Sequence, residues 1–107
     1  MVKVAISGIL GTMGNTLKIK ALEDKDVFLV GGFDRLLADG VVTDINNLPL
    51  CDVIIDFSSP VVLETLLDYA VVHKIALVLA TTGYDEKHFD LIEKASKKIY
   101  LARGVMV

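Results

Sequence analysis

The segment Gly8-Ile9-Leu10-Gly11-Thr12-Met13-Gly14 constrains the fold of this chain more than any other feature of the sequence. It follows an apolar run over residues 2–6, so its three glycines fall where a buried strand is expected to be followed by a helix. In a phosphate-binding turn, one glycine allows tight turning, one lets a pyrophosphate approach the backbone, and one lets the helix pack closely. The N-terminus of that helix offers free N–H groups to the anion. The segment therefore predicts a dinucleotide-binding turn.

An acidic and a basic residue strengthen this prediction, because glycine triplets alone also occur in ordinary tight turns. A strand-like run over residues 27–33 ends at Asp34, twenty residues after Gly14, where a dinucleotide site places its ribose-binding carboxylate. Asp34 can accept both ribose hydroxyls of NADH, and Arg35 can pair with the 2′-phosphate of NADPH. The pair predicts tolerance of either cofactor. The alternative is a solvated pair of loop residues.

Strands and helices alternate along the whole chain. Apolar runs predict strands over residues 2–7, 27–33, 53–57 and 75–80, with a fifth from 99 to 102. Helices are predicted over residues 12–22, 59–72 and 85–97. In the first, Met13, Leu17 and Ala21 fall on one stripe. In the second, Ser59 is expected as N-cap and Pro60 at the first helical position. Residues 35–50 read as a loop with a short turn of structure. The expected fold is α/β, a Rossmann-type parallel sheet of about five strands with helices on both faces.

Four loops are expected to meet at one edge of this sheet, where ligands bind in such folds. They comprise residues 8–14, 34–35, 57–59 and 81–83. Phe57, Ser58, Thr81 and Thr82 can line a channel for the nicotinamide and its ribose, although serine and threonine also cap helices and form turns. Asp56 is expected to hydrogen-bond neighbouring loops.

Composition excludes several classes of protein. The 107 residues suffice for one domain, and 53% of them are hydrophobic, which is ample for a buried sheet. The net charge of −3 does not favour nucleic acid or an anionic membrane as a partner. A single cysteine fits a reducing, cytoplasmic compartment, and the longest apolar run, over residues 75–80, is too short to cross a bilayer.

The sequence offers no catalytic or metal-binding constellation. His73 and His88 are separated in sequence and lack the further ligands that a zinc site needs, so both are expected at the surface. Cys51 has no histidine or other base near it in sequence and is expected to be a small buried residue.

Together these motifs resemble the N-terminal domain of the 4-hydroxy-tetrahydrodipicolinate reductase (dihydrodipicolinate reductase) family. The resemblance rests on the glycine loop, on Asp34-Arg35, on residues 55–58 followed by Pro60, and on residues 80–84. It implies NADH or NADPH as cofactor and reduction of a precursor of diaminopimelate and lysine. The cofactor-binding residues that it implies are Gly8, Ile9, Leu10, Gly11, Thr12, Met13, Gly14, Asp34, Arg35, Phe57, Ser58, Ala80, Thr81, Thr82, Ala102, Arg103, Gly104 and Val105.

The chain also departs from the family pattern. Thr12 stands where the family usually has arginine, Ala80 replaces a usual glycine, and residues 102–107 differ from the family's segment there. The family's second domain, which carries a His-His pair, a lysine and the substrate-binding loop and which builds a tetramer, has no counterpart here. The resemblance thus implies a cofactor-binding half that is monomeric or weakly oligomeric and inactive alone.

Two other functions remain open. Short-chain dehydrogenases and epimerases carry similar glycine loops but use a Tyr-x-x-x-Lys motif, and four residues beyond Tyr69, Tyr84 and Tyr100 stand His73, His88 and Gly104. That spacing counts against this class. A non-enzymatic module that senses dinucleotides would bind the cofactor without turning it over.

Overall fold

The computed structural model describes residues 1–103, which form a parallel sheet of six strands in the order β3-β2-β1-β4-β5-β6. The strands are β1 (Val2–Ser7), β2 (Val27–Phe33), β3 (Val41–Val42), β4 (Val53–Asp56), β5 (Ala76–Leu79) and β6 (Leu101–Arg103). The helices are α1 (Thr12–Glu23), α2 (Leu63–His73) and α3 (Glu86–Ser96). This strand order and the parallel pairing confirm the predicted Rossmann-type α/β fold.

Helices cover both faces of the sheet, as predicted. On one face, Leu17 of α1 packs against the cluster that contains Val4 and Ile6. On the other face, Leu66 of α2 and Ile92 of α3 belong to the larger core around Ala5, Ile54 and Leu77. Successive residues of β1 and β4 thus enter opposite cores, which explains their continuous apolar sequences.

The predicted count of about five strands was low by one, because residues 35–50, predicted as a loop with a short turn, also contain the short strand β3. β3 pairs Val41 with Gly32 and Val42 with Phe33, and a short 3₁₀ helix follows at Ile45–Asn47. A two-residue strand is too short to leave a periodic pattern in the sequence. Val41 is nonetheless buried in the α1-side core, which is what holds β3 at the sheet edge.

The helix predicted over residues 59–72 is divided. A 3₁₀ turn, Pro60–Val62, precedes α2, and Ser59 is the N-cap residue of that turn, as predicted, although its side chain makes no capping bond. Pro60 does occupy the first position of the turn. The best-capped helix is α3, where the Asp85 side chain accepts from the His88 N–H and the His88 ring accepts from the Asp85 N–H.

Two burial predictions also need correction. Met13 is 48% exposed, because Gly14 occupies the position of α1 that packs against the glycine loop. Cys51 is only partly buried, and this burial, with a contribution from the Asp52 charge, raises the pKa of its thiol to about 11. Among the described helices, each falls short of the length and apolar character that crossing a membrane requires.

The carboxyl ends of the strands form one row across the sheet. The pairing places Phe33, Ser7, Asp56, Leu79 and Arg103 side by side, each on its own strand. The loops that follow β1, β2, β4 and β5 therefore meet at one edge, as the sequence predicted.

Candidate functional site

The turn after β1 depends on Gly8. Its φ of +81° lies in the left-handed region, and its N–H donates to the Phe33 carbonyl oxygen at 2.8 Å. A Cβ built on Gly8 would lie 2.9 Å from backbone atoms of Phe57 and Ser58. Any side chain here would therefore push the β4 loop away from the β1 loop.

The other two glycines of the loop differ in what surrounds them. A Cβ on Gly14 would lie 2.8 Å from the Gly8 carbonyl carbon and from the Ile9 Cα, so α1 reaches the loop only because Gly14 has no side chain. A Cβ on Gly11 would meet only the Gly8 carbonyl oxygen, at 3.4 Å, which is ordinary contact. Packing within the described chain therefore explains Gly14 but leaves Gly11 unexplained, and the space beside Gly11 is open.

Gly11 is also the N-cap of α1, and as a glycine it has no side chain that could cap the helix. The N–H of Asn15 donates to the Gly11 carbonyl oxygen at 2.9 Å, so the helical ladder starts there. Thr12, Met13 and Gly14 form an uncharged first turn ahead of that bond. This helix end combines unused N–H groups with the positive end of the helix dipole, which favours an anion.

Asp34 is fixed against the glycine loop by two backbone hydrogen bonds. Its Oδ2 accepts from the Leu10 N–H at 2.9 Å, and its Oδ1 accepts from the Arg35 N–H at 2.7 Å. A carboxylate has about four acceptor positions, so roughly two remain for further donors such as a pair of hydroxyl groups. The same two bonds hold the carboxylate next to the loop rather than leaving it to solvent.

A cleft of about 900 Å³ joins these features. Of its lining residues, Asp34 and Arg35 are the charged ones, so the charges of the lining balance. Seven residues predicted for cofactor binding line this cleft together, namely Gly8, Leu10, Gly11, Asp34, Arg35, Phe57 and Ser58.

Further lining residues escaped the sequence reasoning. The undetected strand β3 brings Thr43 to the cleft, where it lies with Leu36, Val61 and Val62. Leu36 is 70% exposed and Val61 is 88% exposed. An exposed leucine and an exposed valine in the lining of one cleft provide apolar surface on which a flat ring could pack, and the sequence alone does not reveal this exposure.

The remaining predicted residues lie around this cleft. Ile9 is buried against Gly32, so its side chain belongs to the core, and Met13 is exposed in the first turn of α1 beside Thr12. Ala80, Thr81 and Thr82 follow β5, and the Thr81 hydroxyl donates to Asp56 Oδ2 at 3.0 Å. This bond confirms that Asp56 joins neighbouring loops.

The last group of predicted residues lies on and after β6. Ala102 lies in this strand, and the Arg103 guanidinium lies 5.0 Å from the centre of the Phe89 ring. Arg103 lines a separate groove of about 560 Å³ between α3 and β6. Gly104 and Val105 lie outside the described residues.

A protein-family model described as dihydrodipicolinate reductase, N-terminus, matches residues 2–105. The 4-hydroxy-tetrahydrodipicolinate reductase of Alkaliphilus metalliredigens is 39% identical over 97 residues, which are 91% of this chain and 38% of that protein. The chain therefore spans about two fifths of the length of this curated relative.

Two solved structures share the fold. Dihydrodipicolinate reductase from Paenisporosarcina sp. TG-14, with dipicolinate bound, superimposes with a TM-score of 0.65 at 20% identity, covering 89% of this chain and 44% of that one. GenD2 of gentamicin A biosynthesis, in complex with NAD, gives a TM-score of 0.77 at 18% identity, over 96% of this chain and 34% of that one. Because the family model spans nearly all of it, the chain belongs to the dihydrodipicolinate reductase family and matches its N-terminal region.

Proposed function

We propose, from this family membership and from the cleft, that the chain is the dinucleotide-binding region of a 4-hydroxy-tetrahydrodipicolinate reductase and binds NADH or NADPH. The observation that carries the proposal is the open space beside Gly11 at the N-terminus of α1. A glycine at a position with this much space lets a ligand approach the backbone closely.

A pyrophosphate fits the chemistry of this position. The uncharged first turn of α1 supplies N–H donors and the positive end of a dipole, and Gly11 lets phosphate oxygens come close to them. Thr12 supplies no positive charge there, so backbone groups provide the attraction. NADH and NADPH share this pyrophosphate, so the loop does not distinguish between them.

The adenosine ribose would lie against Asp34. The two remaining acceptor positions of its carboxylate suit the two ribose hydroxyls of NADH, and the Arg35 guanidinium beside it suits the 2′-phosphate of NADPH. Leu36 and Val61 would pack on the flat faces of the adenine. Because Asp34 suits NADH and Arg35 suits NADPH, we expect both cofactors to bind.

The nicotinamide half would extend toward the loops after β4 and β5. Phe57 and Ser58 border the cleft on that side, and we expect Ala80, Thr81 and Thr82 to contact the nicotinamide nucleoside. We expect residues 102–105 to contact the nicotinamide nucleoside as well. When bound, the dinucleotide supplies the hydride, and the residues of this chain bind and orient it.

The reductase activity, a homotetramer and a cytoplasmic location are part of the same proposal, since they concern the longer relatives. Binding of the substrate is expected to require residues beyond the N-terminal region. Without them, we expect this chain to bind the dinucleotide weakly, to be a monomer or weak oligomer, and to catalyse no useful turnover, because holding the two reactants together supplies much of the rate.

A chimeric enzyme tests the proposal. Residues 2–105 of this chain would replace the matching region of the Alkaliphilus metalliredigens reductase, and oxidation of NADH and NADPH would be followed with freshly generated 4-hydroxy-tetrahydrodipicolinate. We expect turnover from the chimera and none from the 107-residue chain. A matched chimera carrying Lys87→Ala, an exposed change on α3, controls for effects of surface substitution.

Three outcomes would contradict the proposal. A folded chimera that binds dinucleotide without turning it over would favour a sensing module. A chimera that binds neither cofactor would remove the cofactor assignment. Robust turnover by the 107-residue chain alone would require a catalytic residue within it.

A further inference from the structure

Asp56, the last residue of β4, is a carboxylate that is completely buried, with 0% of its surface exposed. It lies at the carboxyl edge of the sheet, between Ser7 of β1 and Leu79 of β5. Ionisable groups are rarely buried so fully unless a partner or a function requires it. Asp56 is not among the residues that line the cleft.

The two oxygens of Asp56 bond to two different loops. Oδ1 accepts from the Ser58 N–H at 3.0 Å and also from the Ser58 hydroxyl. Oδ2 accepts from the Thr81 hydroxyl at 3.0 Å, across 25 residues of sequence. The main chain supports the same connection, since the Ala80 N–H donates to the Asp56 carbonyl oxygen at 2.9 Å. One buried side chain therefore joins the loop after β4 to the loop after β5.

The donors to Asp56 are uncharged groups, so their hydrogen bonds are what stabilise the carboxylate in this buried place. Movement of either loop would leave an oxygen of Asp56 without its donor. Tyr84 lies close enough that burial, with a contribution from the Asp56 charge, raises the pKa of its hydroxyl to about 12. The hydroxyl of Ser7 is buried without a hydrogen-bond partner among residues 1–103. This polar cluster is costly to bury, which favours a role in function.

We propose that Asp56 is a positioning residue, which holds Ser58 and Thr81 in the arrangement that receives the nicotinamide half of the bound dinucleotide. This inference rests on the proposed function. It differs from a general structural role, because the adenosine and pyrophosphate half would bind at Gly11 and Asp34, whereas the hydrogen bonds of the Asp56 side chain go to Ser58 and Thr81.

Two ligands separate these roles in an experiment on the 107-residue chain. ADP carries the adenosine and the pyrophosphate, and NADH carries the nicotinamide nucleoside in addition. Asp56→Asn keeps the shape of the side chain and one acceptor oxygen, which can still face Ser58. Its NH₂ group then faces the Thr81 hydroxyl, which must accept a bond instead of donating one. Asp68→Asn makes the same chemical change on the exposed surface of α2 and serves as control.

We expect Asp56→Asn to weaken NADH binding about tenfold while the affinity for ADP stays within about twofold, as for loss of one charge-assisted hydrogen bond. Asp68→Asn should change neither. Equal weakening of both ligands would show that Asp56 only stabilises the fold, and unchanged NADH affinity would show that it positions nothing. Both results would overturn the inference and leave the proposed function intact. If the native chain bound neither ligand, the proposed function would fail first and the inference with it.

A second variant covers the case in which Asp56→Asn does not fold. Thr81→Val removes the hydroxyl that bonds Oδ2 and keeps the Asp56 charge and the Ser58 bonds. Amide hydrogen exchange in the native and Thr81→Val chains should then show faster exchange in residues 80–83 and unchanged exchange at residues 8–14. Uniformly faster exchange, or no change in the exchange rates, would count against Asp56 as the link between these loops.

Discussion

Alanine at each of two glycines in the same loop separates packing from ligand binding. At Gly14 an added Cβ would lie 2.8 Å from the Gly8 carbonyl carbon and the Ile9 Cα, and these backbone atoms cannot move independently of β1 and α1. At Gly11 the nearest neighbour of the Cβ would be the Gly8 carbonyl oxygen at 3.4 Å, and the backbone angles of −77° and 172° suit alanine. The two substitutions are chemically the same.

Gly14→Ala should change mainly the stability of the chain, whereas Gly11→Ala should change mainly its affinity for the cofactor. Gly14→Ala should lower the free energy of unfolding by about 1–3 kcal/mol or more, as overpacking does. Gly11→Ala should change it by less than about 1 kcal/mol, because a poorer N-cap is offset by a less flexible unfolded chain. In binding, the methyl group at Gly11 should block charge-assisted hydrogen bonds to the pyrophosphate, each of about 1.5–3 kcal/mol. That loss corresponds to roughly 10- to 150-fold weaker affinity.

Urea unfolding and calorimetric titration with NADH, on the native chain and both variants, give the two quantities. We expect Gly11→Ala to retain the native unfolding midpoint and lose affinity, whereas Gly14→Ala loses stability. Unaltered NADH affinity in a folded Gly11→Ala chain would refute the reasoning, because Gly11 would then have no role toward a ligand. Equal destabilisation by both substitutions would refute the packing comparison.

Three further predictions concern the charged pair, the cysteine and turnover. Asp34→Ala should weaken the binding of NADH more than that of NADPH, and Arg35→Ala should do the reverse. Titrations should show a loss of about 1.5–3 kcal/mol of binding free energy in each case. Equal losses for both cofactors would show that the pair does not distinguish the 2′ position. Burial raises the pKa of Cys51 from 9.0 to about 11, so the folded chain favours the protonated thiol. Its contribution to the free energy of unfolding should be complete below about pH 9 and be lost as the pH rises to about 11. The urea midpoint of the native chain should fall over that range more than that of Cys51→Ala, and parallel falls would contradict this. The 107-residue chain should oxidise no NADPH with the family's substrate beyond the rate without protein, and clear turnover would contradict the need for a further domain.

The sequence predicted the fold well because the central strands are buried on both faces. Such strands appear as continuous apolar runs, and the alternation with helices then limits the topology to a parallel sheet. The glycine loop and Asp34 were visible because their spacing is local. β3 was not visible, because two residues cannot show a period, and the position of Thr43 in the cleft depends on that strand.

Long-range hydrogen bonds account for the rest of what the sequence could not give. The bond between Leu10 and Asp34 spans 24 residues, and the bond between Asp56 and Thr81 spans 25. Each depends on the strand order, which brings together loops that are distant in the chain. The exposure of Met13 likewise follows from contact between Gly14 and the loop, which helix periodicity alone does not predict.

The most direct test of the central claim is an NMR titration of the ¹⁵N-labelled chain with NADH. The account predicts saturable shifts of the amides of residues 8–14 and of Asp34 and Arg35, with little change on the exposed face of α3. ADP-ribose should shift the amides of residues 8–14 in the same way. That result would assign the pyrophosphate to the N-terminus of α1. No shift at millimolar NADH, or shifts centred on the groove between α3 and β6, would contradict the account.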